Sequence, residues 1–268
     1  MSRQPTLYVT HGAGPCFWMT FPEPFGPHGF DSLKVYFSGV LDSLPERPRA
    51  ILVASAHWEE RIPTLSTSAA PSMIYDYQGF PAHTYQLKYP APGSPEIALR
   101  AQGLLKEAGL DAATDDRRGF DHGVFVPMMI IEPTATIPVV SLSLGNDLDA
   151  ARHLAIGAAL APLRDEGVLI VASGSSYHNL RAIFGGDGQA SMEFDAWLGE
   201  TVAQTSGDRN ARLADWTSAP SARAAHPREE HLIPLMIAAG AAGEDTGRAA
   251  FRDVIGGKTY SCFAFGAT

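Results

Sequence analysis

Residues 50–54 read Ala-Ile-Leu-Val-Ala, an apolar run with no polar alternation. A strand of that kind has both faces covered, as in a parallel sheet between layers of helices. Two more β-rich runs, TLYVT at 6–10 and VLIVA at 168–172, are similar. Each run leads to an imidazole: His11, His57 and His178.

The segments between them carry helical spacing and helix punctuation. Residues 32–44 read as a helix that PERPRA ends, and 94–110 as a helix with Ser94 as N-cap, Pro95 at N1 and Gly109 near its end. Residues 147–167 read as one helix containing His153, and HPREEHLIPLMIAAGAAG (226–243) as a helix entered at Pro227. TIPVVSLSL (136–144) and IPTLSTSAA (62–70) read as strands, and KTYSCFAFG (258–266) as a late strand at a sheet edge. Between 71 and 95 lies a polar-aromatic loop with five prolines, a length usual for lids and binding loops. Alternating strands and helices predict an α/β fold: a single domain over 1–268, with a central mostly parallel or mixed sheet flanked by helices. Ligands of such sheets bind at the carboxyl ends of the strands. The active site is therefore expected at that edge.

Composition narrows the partners. The chain has 268 residues, 45% hydrophobic, with no linker-like stretch to divide the core. A net charge of −9 disfavours nucleic acid and anionic membranes. No apolar run approaches the ~20 residues of a membrane span, and the first residues lack the apolar stretch of a signal peptide. Two cysteines, Cys16 and Cys262, make no disulfide framework, so a reduced, cytoplasmic setting is expected.

A lone histidine at a strand end is more often a hydrogen-bonded residue than a ligand. Three in like positions at one sheet edge point to a metal site. His122, in the Asp-His-Gly turn, and His231 are placed to join them, whereas His28, His83, His153 and His226 read as surface or satisfied core residues. Without thiolates in the set, zinc-finger and iron–sulfur sites drop out, and imidazoles suit Fe, Zn, Cu or Ni. Nucleophilic readings are weaker. GSSYH (174–178) is not the G-x-S-x-G elbow. Cys16 matches no Cys/His signature, and HGAGPC is neither a phosphate nor a dinucleotide loop.

Six segments occur in order: LYVTHGAGP, ASAHWEE, YDYQGFPAHTYQLKYPAPGSPEIA, GFDHGVFVPM, ASGSSYHNL and HPREEHLIPL. Together they resemble the class III extradiol ring-cleavage dioxygenases, in the subgroup of DOPA 4,5-dioxygenase-like proteins, from about residue 7 to the last strand. The resemblance implies cleavage of a catechol with O2 at a non-haem centre. Fe(II) is the implied metal of the active enzyme, and Zn(II) an ion acquired during purification. It implies His11, His57 and His231 as metal ligands, His178 as an acid/base close to the metal, and His122 against the substrate. Tyr75, Phe80 and Pro81 would shape the pocket wall. Phe17 and Trp18, in a longer first motif than the family's usual HGSP, would reshape the entrance. Glu230, beside His231, is either the third ligand in its place or a support behind it. Helical neighbours point ~100° apart, so one of the two would face the metal. The rival readings are a zinc-dependent hydrolase with Glu230 as base and a non-catalytic metal-binding relative. A homodimer is the oligomeric state to check.

Overall fold

The computed structural model describes residues 2–185 and 188–266. In chain order its elements are β1 (Thr6–Thr10), α1 (Asp31–Ser38), β2 (Ala50–Glu60), β3 (Thr64–Ser66), α2 (Pro95–Glu107), β4 (Ala113–Asp115), α3 (His122–Ile131) and β5 (Val139–Gly145). They continue with α4 (Ala150–Leu160), α5 (Pro162–Asp165), β6 (Val168–Gly174), α6 (Gln189–Val202), α7 (Ser206–Ala214), α8 (Ala222–Ala225), α9 (Ile233–Ala242), β7 (Gly247–Ile255) and β8 (Lys258–Phe265).

All eight strands form one mixed sheet of order β4-β3-β5-β2-β6-β1-β8-β7. The four strands at its centre, β5, β2, β6 and β1, are parallel, and β8 and β7 close one side as an antiparallel pair. The fold is thus the α/β class that the apolar runs predict. Central strands are buried along their length because both faces are covered. Thr6 and Tyr8 reach from β1 to α9 and the turn before it. Ser55 and Ser173 reach from β2 and β6 toward the start of α3 on the other face.

Helix ends follow local chemistry. Ser94, Asp121 and Asp149 are N-caps, each accepting a hydrogen bond from a backbone N–H three residues on. Pro162 splits the helix expected over 147–167 into α4 and α5, since a proline lacks the N–H that would continue it. Three more expectations change. β2 does not stop at His57 but runs on to Glu60. The last helix begins at Ile233, not Pro227: residues 226–231 form a turn in which Leu232 and Ile233 N–H bond the Glu229 carbonyl, and Pro234 occupies the first helical turn. And β8 is not the edge. β7, a half-exposed strand whose apolar residues are interrupted by Arg248, Arg252 and Asp253 and form no continuous run, lies outside it.

Parallel neighbours β2, β6 and β1 end side by side, with Thr10 opposite Gly174 and Ser55 opposite Ser173. That edge gathers His11, His57 and the segment after Gly174.

Candidate metal centre

Each histidine reaches the edge by a different device. His11 follows β1 directly, and its N–H donates to the Gly174 carbonyl at 3.0 Å. His57 sits in an irregularity of β2: four residues lie between Ala54 and Glu59, while only one lies between their partners Leu142 and Leu144 on β5. Such a bulge re-aims a side chain that regular pleating would bury in the sheet. His231 lies in the turn before α9, its carbonyl pinned by the Tyr8 hydroxyl at 2.9 Å and the Ser175 N–H at 3.0 Å. The approach needs Gly174, because a Cβ there would fall 2.1 Å from the His231 carbonyl oxygen. The His122 N–H opens α3, and His178 follows β6, its N–H donating to the Ala225 carbonyl.

His11 Nε2 lies 3.2 Å from His57 Nε2, which lies 3.2 Å from His231 Nε2. Two nitrogens ~2.1 Å from a common ion, 90–109° apart, are ~3.0–3.4 Å from each other, so the trio has the dimensions of a metal site. The far side of each ring fixes its tautomer. Ser173 donates its only hydroxyl proton to the Gly123 carbonyl, so its oxygen accepts from His11 Nδ1 at 3.1 Å. The Glu230 carboxylate accepts from His231 Nδ1 at 2.9 Å. Asp76 Oδ2 faces His57 Nδ1 at 3.5 Å. With protons held on Nδ1, three Nε2 lone pairs point at one another. That is repulsive unless a cation sits between them. Burial, reinforced by the neighbouring imidazoles, holds His11 and His231 well below the usual histidine range. Burial and His122 lower His57 to about 3. All three are neutral imidazoles at physiological pH, a set that could hold a metal ion.

His122 and His178 stand beside the trio without joining its ring of short Nε2 contacts. His122 is 3.9 Å from His57 between ring centroids, and His178 is stacked on His231 at 3.4 Å and 18°. Each shares a carboxylate with its neighbour. Asp76 accepts from His122 Nδ1 at 2.9 Å and from the His122 backbone N–H, and Glu230 meets His178 Nδ1 at 3.1 Å. Burial would raise both acids. For Asp76 the His122 hydrogen bonds outweigh it and hold the carboxyl down at about 2, and for Glu230 the bond from His178 lowers it likewise. Glu230 therefore stands behind His231 rather than in its place. Asp76 was not singled out from the sequence. The signal was the need of a ligating imidazole for an acceptor on its other nitrogen, with a carboxylate in the flagged loop.

Two ion pairs brace the site from outside. Arg118 pairs with buried Asp121, which accepts from Ser55 at 2.7 Å, and so ties the β2 bulge to α3. Arg228 grips Glu59 through its two terminal guanidinium nitrogens at 2.7 and 2.6 Å, tying the His231 turn to β2.

The five imidazoles open onto a cavity of about 240 Å3. Phe80 lines it, with Tyr77, Phe25, Phe30, Tyr177 and Tyr260, none of which the sequence singled out. Tyr75, Pro81 and Trp18 lie outside the lining. Tyr75 packs edge-on against Tyr77 and donates to the Leu87 carbonyl, holding the wall from behind. Pro81 caps a short 3-10 turn, and the Trp18 carbonyl meets His83 Nε2. Among the remaining histidines, His226 is buried and bonds the Ser176 carbonyl, and His153 bridges Gly145 N–H and the Asp149 carbonyl.

An α/β sheet along whose carboxyl edge two strands and the turn before α9 bring three neutral imidazoles to the base of an aromatic-walled cavity defines a metal-dependent enzyme for a small molecule. Residues 28–263 match the family described as the catalytic LigB subunit of aromatic ring-opening dioxygenase, and the chain belongs to that family of class III extradiol dioxygenases. It is 47% identical over 205 residues to a protein of Beta vulgaris named 4,5-DOPA dioxygenase extradiol, covering 75% of this chain and 76% of that one. Proteins of the same name from Portulaca grandiflora (43%, 91% and 88% covered) and Escherichia coli (36%, 90% and 86% covered) are also similar. A solved structure of an uncharacterized Escherichia coli protein, JW3007, superposes with a TM-score of 0.79 at 28% identity, covering 98% of this chain and all of that one. The protein is thus an oxidoreductase that opens an aromatic ring at a metal-dependent site. Among the described residues, no helix is long and apolar enough to cross a membrane.

Proposed function

We propose that the protein is an extradiol dioxygenase that cleaves a catechol-type substrate with O2 at a non-haem Fe(II) site, with residues 1–268 acting as one catalytic unit. His11, His57 and His231 would hold the iron. The metal, when bound, supplies the Lewis acidity and the electron path that let a diol react with O2. The chain supplies position and protons. His178, its Nδ1–H on Glu230, has Nε2 free to take a proton from a diol hydroxyl, and the carboxylate stabilises the imidazolium that results. His122, on Asp76, is built the same way and would hydrogen-bond the substrate or return the proton. Tyr77 and Phe80 would wall the ring in and limit water. The buried free thiols of Cys16 and Cys262 suit a cytoplasmic setting.

The observation that carries this reading is the pairing of three converging Nε2 lone pairs with two further imidazoles, each backed by an acid. A zinc hydrolase would need Glu230 free to act on a metal-bound water. Here that carboxylate faces the Nδ1 atoms of two histidines. Anaerobic loading with Fe(II), followed by catechols under air, should give O2 uptake and a coloured ring-opened product. Turnover with zinc alone, independent of O2, would contradict the proposal.

A further inference from the structure

Resting on the ring-cleavage reading, we infer that the catechol taken by this cavity carries an uncharged, apolar substituent, and not a carboxylate or amino-acid side chain. Away from the imidazoles, the cavity wall is built of Phe25, Phe30, Ile183, Ile255, Tyr177 and Tyr260. Among the described residues no Lys, Arg, Asp or Glu lines it. Several of its neutral polar groups are already engaged. Thr10 donates to the Ser261 carbonyl and accepts from Ser176 N–H, Ser175 donates to the Tyr177 carbonyl, and Tyr77 donates to the Thr84 carbonyl. A carboxylate pushed against such a wall would lose its water and gain at most the neutral hydroxyls of Tyr177 and Tyr260, with no cation to pair with, which is costly.

The mouth has the same character. Leu180 lines the cavity yet is 64% exposed, and Phe184, 68% exposed, packs edge-on against Phe25. Phe25 in turn stacks on Phe30 at 5.7 Å and 14°. An apolar path thus runs from solvent to the wall. Arg181 follows Leu180 but is exposed and outside the lining. The curated relatives are named for DOPA, whose substituent carries an ammonium and a carboxylate. In the described wall of this cavity no charged side chain is placed to pair with either.

The test compares ligands of equal length: 4-propylcatechol, 3-(3,4-dihydroxyphenyl)propionate and L-DOPA. Anaerobic calorimetry on Fe(II)-loaded protein gives affinities, and O2 uptake gives kcat/KM. Propylcatechol should bind at least ~10-fold tighter than either charged analogue. Leu180→Arg, at an exposed position that leaves the core intact, should narrow that gap by improving the propionate. Equal or tighter binding of the propionate or DOPA by the unaltered protein overturns the inference, and loss of that binding in Arg181→Ala would identify the cation responsible. Apolar preference without O2 uptake would remove the ring-cleavage reading while leaving the pocket assignment standing. Failure of all three catechols to bind would remove both.

Discussion

His57, His11 and His231 are oriented by what lies behind them. Each presents Nε2 forward because an acceptor occupies Nδ1, and the same two acids orient His122 and His178. The roles separate experimentally. His57→Ala should remove both metal and turnover. His178→Phe should lower kcat by ~100-fold or more with metal content unchanged, and loss of metal there would make His178 a ligand instead. Glu230→Gln should weaken metal binding by ~10–100-fold, since an amide holds the Nδ1 proton less firmly. Metal titration monitored by competition with a chelator checks all three. His11, His57 and His178 were legible because they follow apolar strand runs, His122 because it sits in the Asp-His-Gly turn, and His231 because it stands just ahead of the last apolar helix. Asp76 was not, because nothing in a loop sequence shows which carboxylate lies behind a ring until the chain has folded. Trp18, Tyr75 and Pro81 drew notice for bulk or rigidity, properties that serve a supporting layer as well as a lining.

At the level of elements, the apolar runs revealed β1, β2, β5 and β6 because those strands are buried on both faces. The half-exposed edge strand β7, its apolar residues broken by charges, and the three-residue β4 carry no such signal. The bulge in β2 was also hidden, since a register shift depends on the partner strand. It is nonetheless what turns His57 toward the cavity. Gly123, in the first turn of α3, lies against it: a Cβ there would stand 2.7 Å from Ser55 Oγ and 3.0 Å from His57 Cδ2. Gly123→Ala should therefore shift the His57 ring and weaken metal binding while circular dichroism stays that of the parent. A variant with unaltered metal affinity would show that the bulge does not depend on this packing. The turn at 226–231 is a related case. Read as helix, it set Glu230 and His231 against each other as rival ligands. As a turn, it lets the acid reach back to its neighbour's Nδ1.

For the whole molecule, the price of burying so many imidazoles falls due in acid. His226 is wholly buried away from the metal trio, and burial lowers it from 6.5 to about 4. Below pH 6.5 the unfolded chain takes up a proton that the folded protein refuses, so stability present above that pH is lost as pH falls toward 4. The loss is about 3 kcal/mol for this group, and His57, lowered to about 3, adds to it in the same direction. Denaturant melts of metal-free protein should show this slope, and His226→Gln, which keeps a donor for the Ser176 carbonyl, should flatten it. An unchanged slope would show that His226 accepts its proton in the fold.

The central claim is that one cation sits among three Nε2 atoms contributed by β1, β2 and the turn before α9. Crystals of the protein loaded anaerobically with Fe(II), measured on both sides of the iron absorption edge, test it directly. The account predicts a single anomalous peak ~2.1 Å from Nε2 of His11, His57 and His231. A peak elsewhere, or a fully loaded protein in which one of those rings stands clear of the metal, would contradict it.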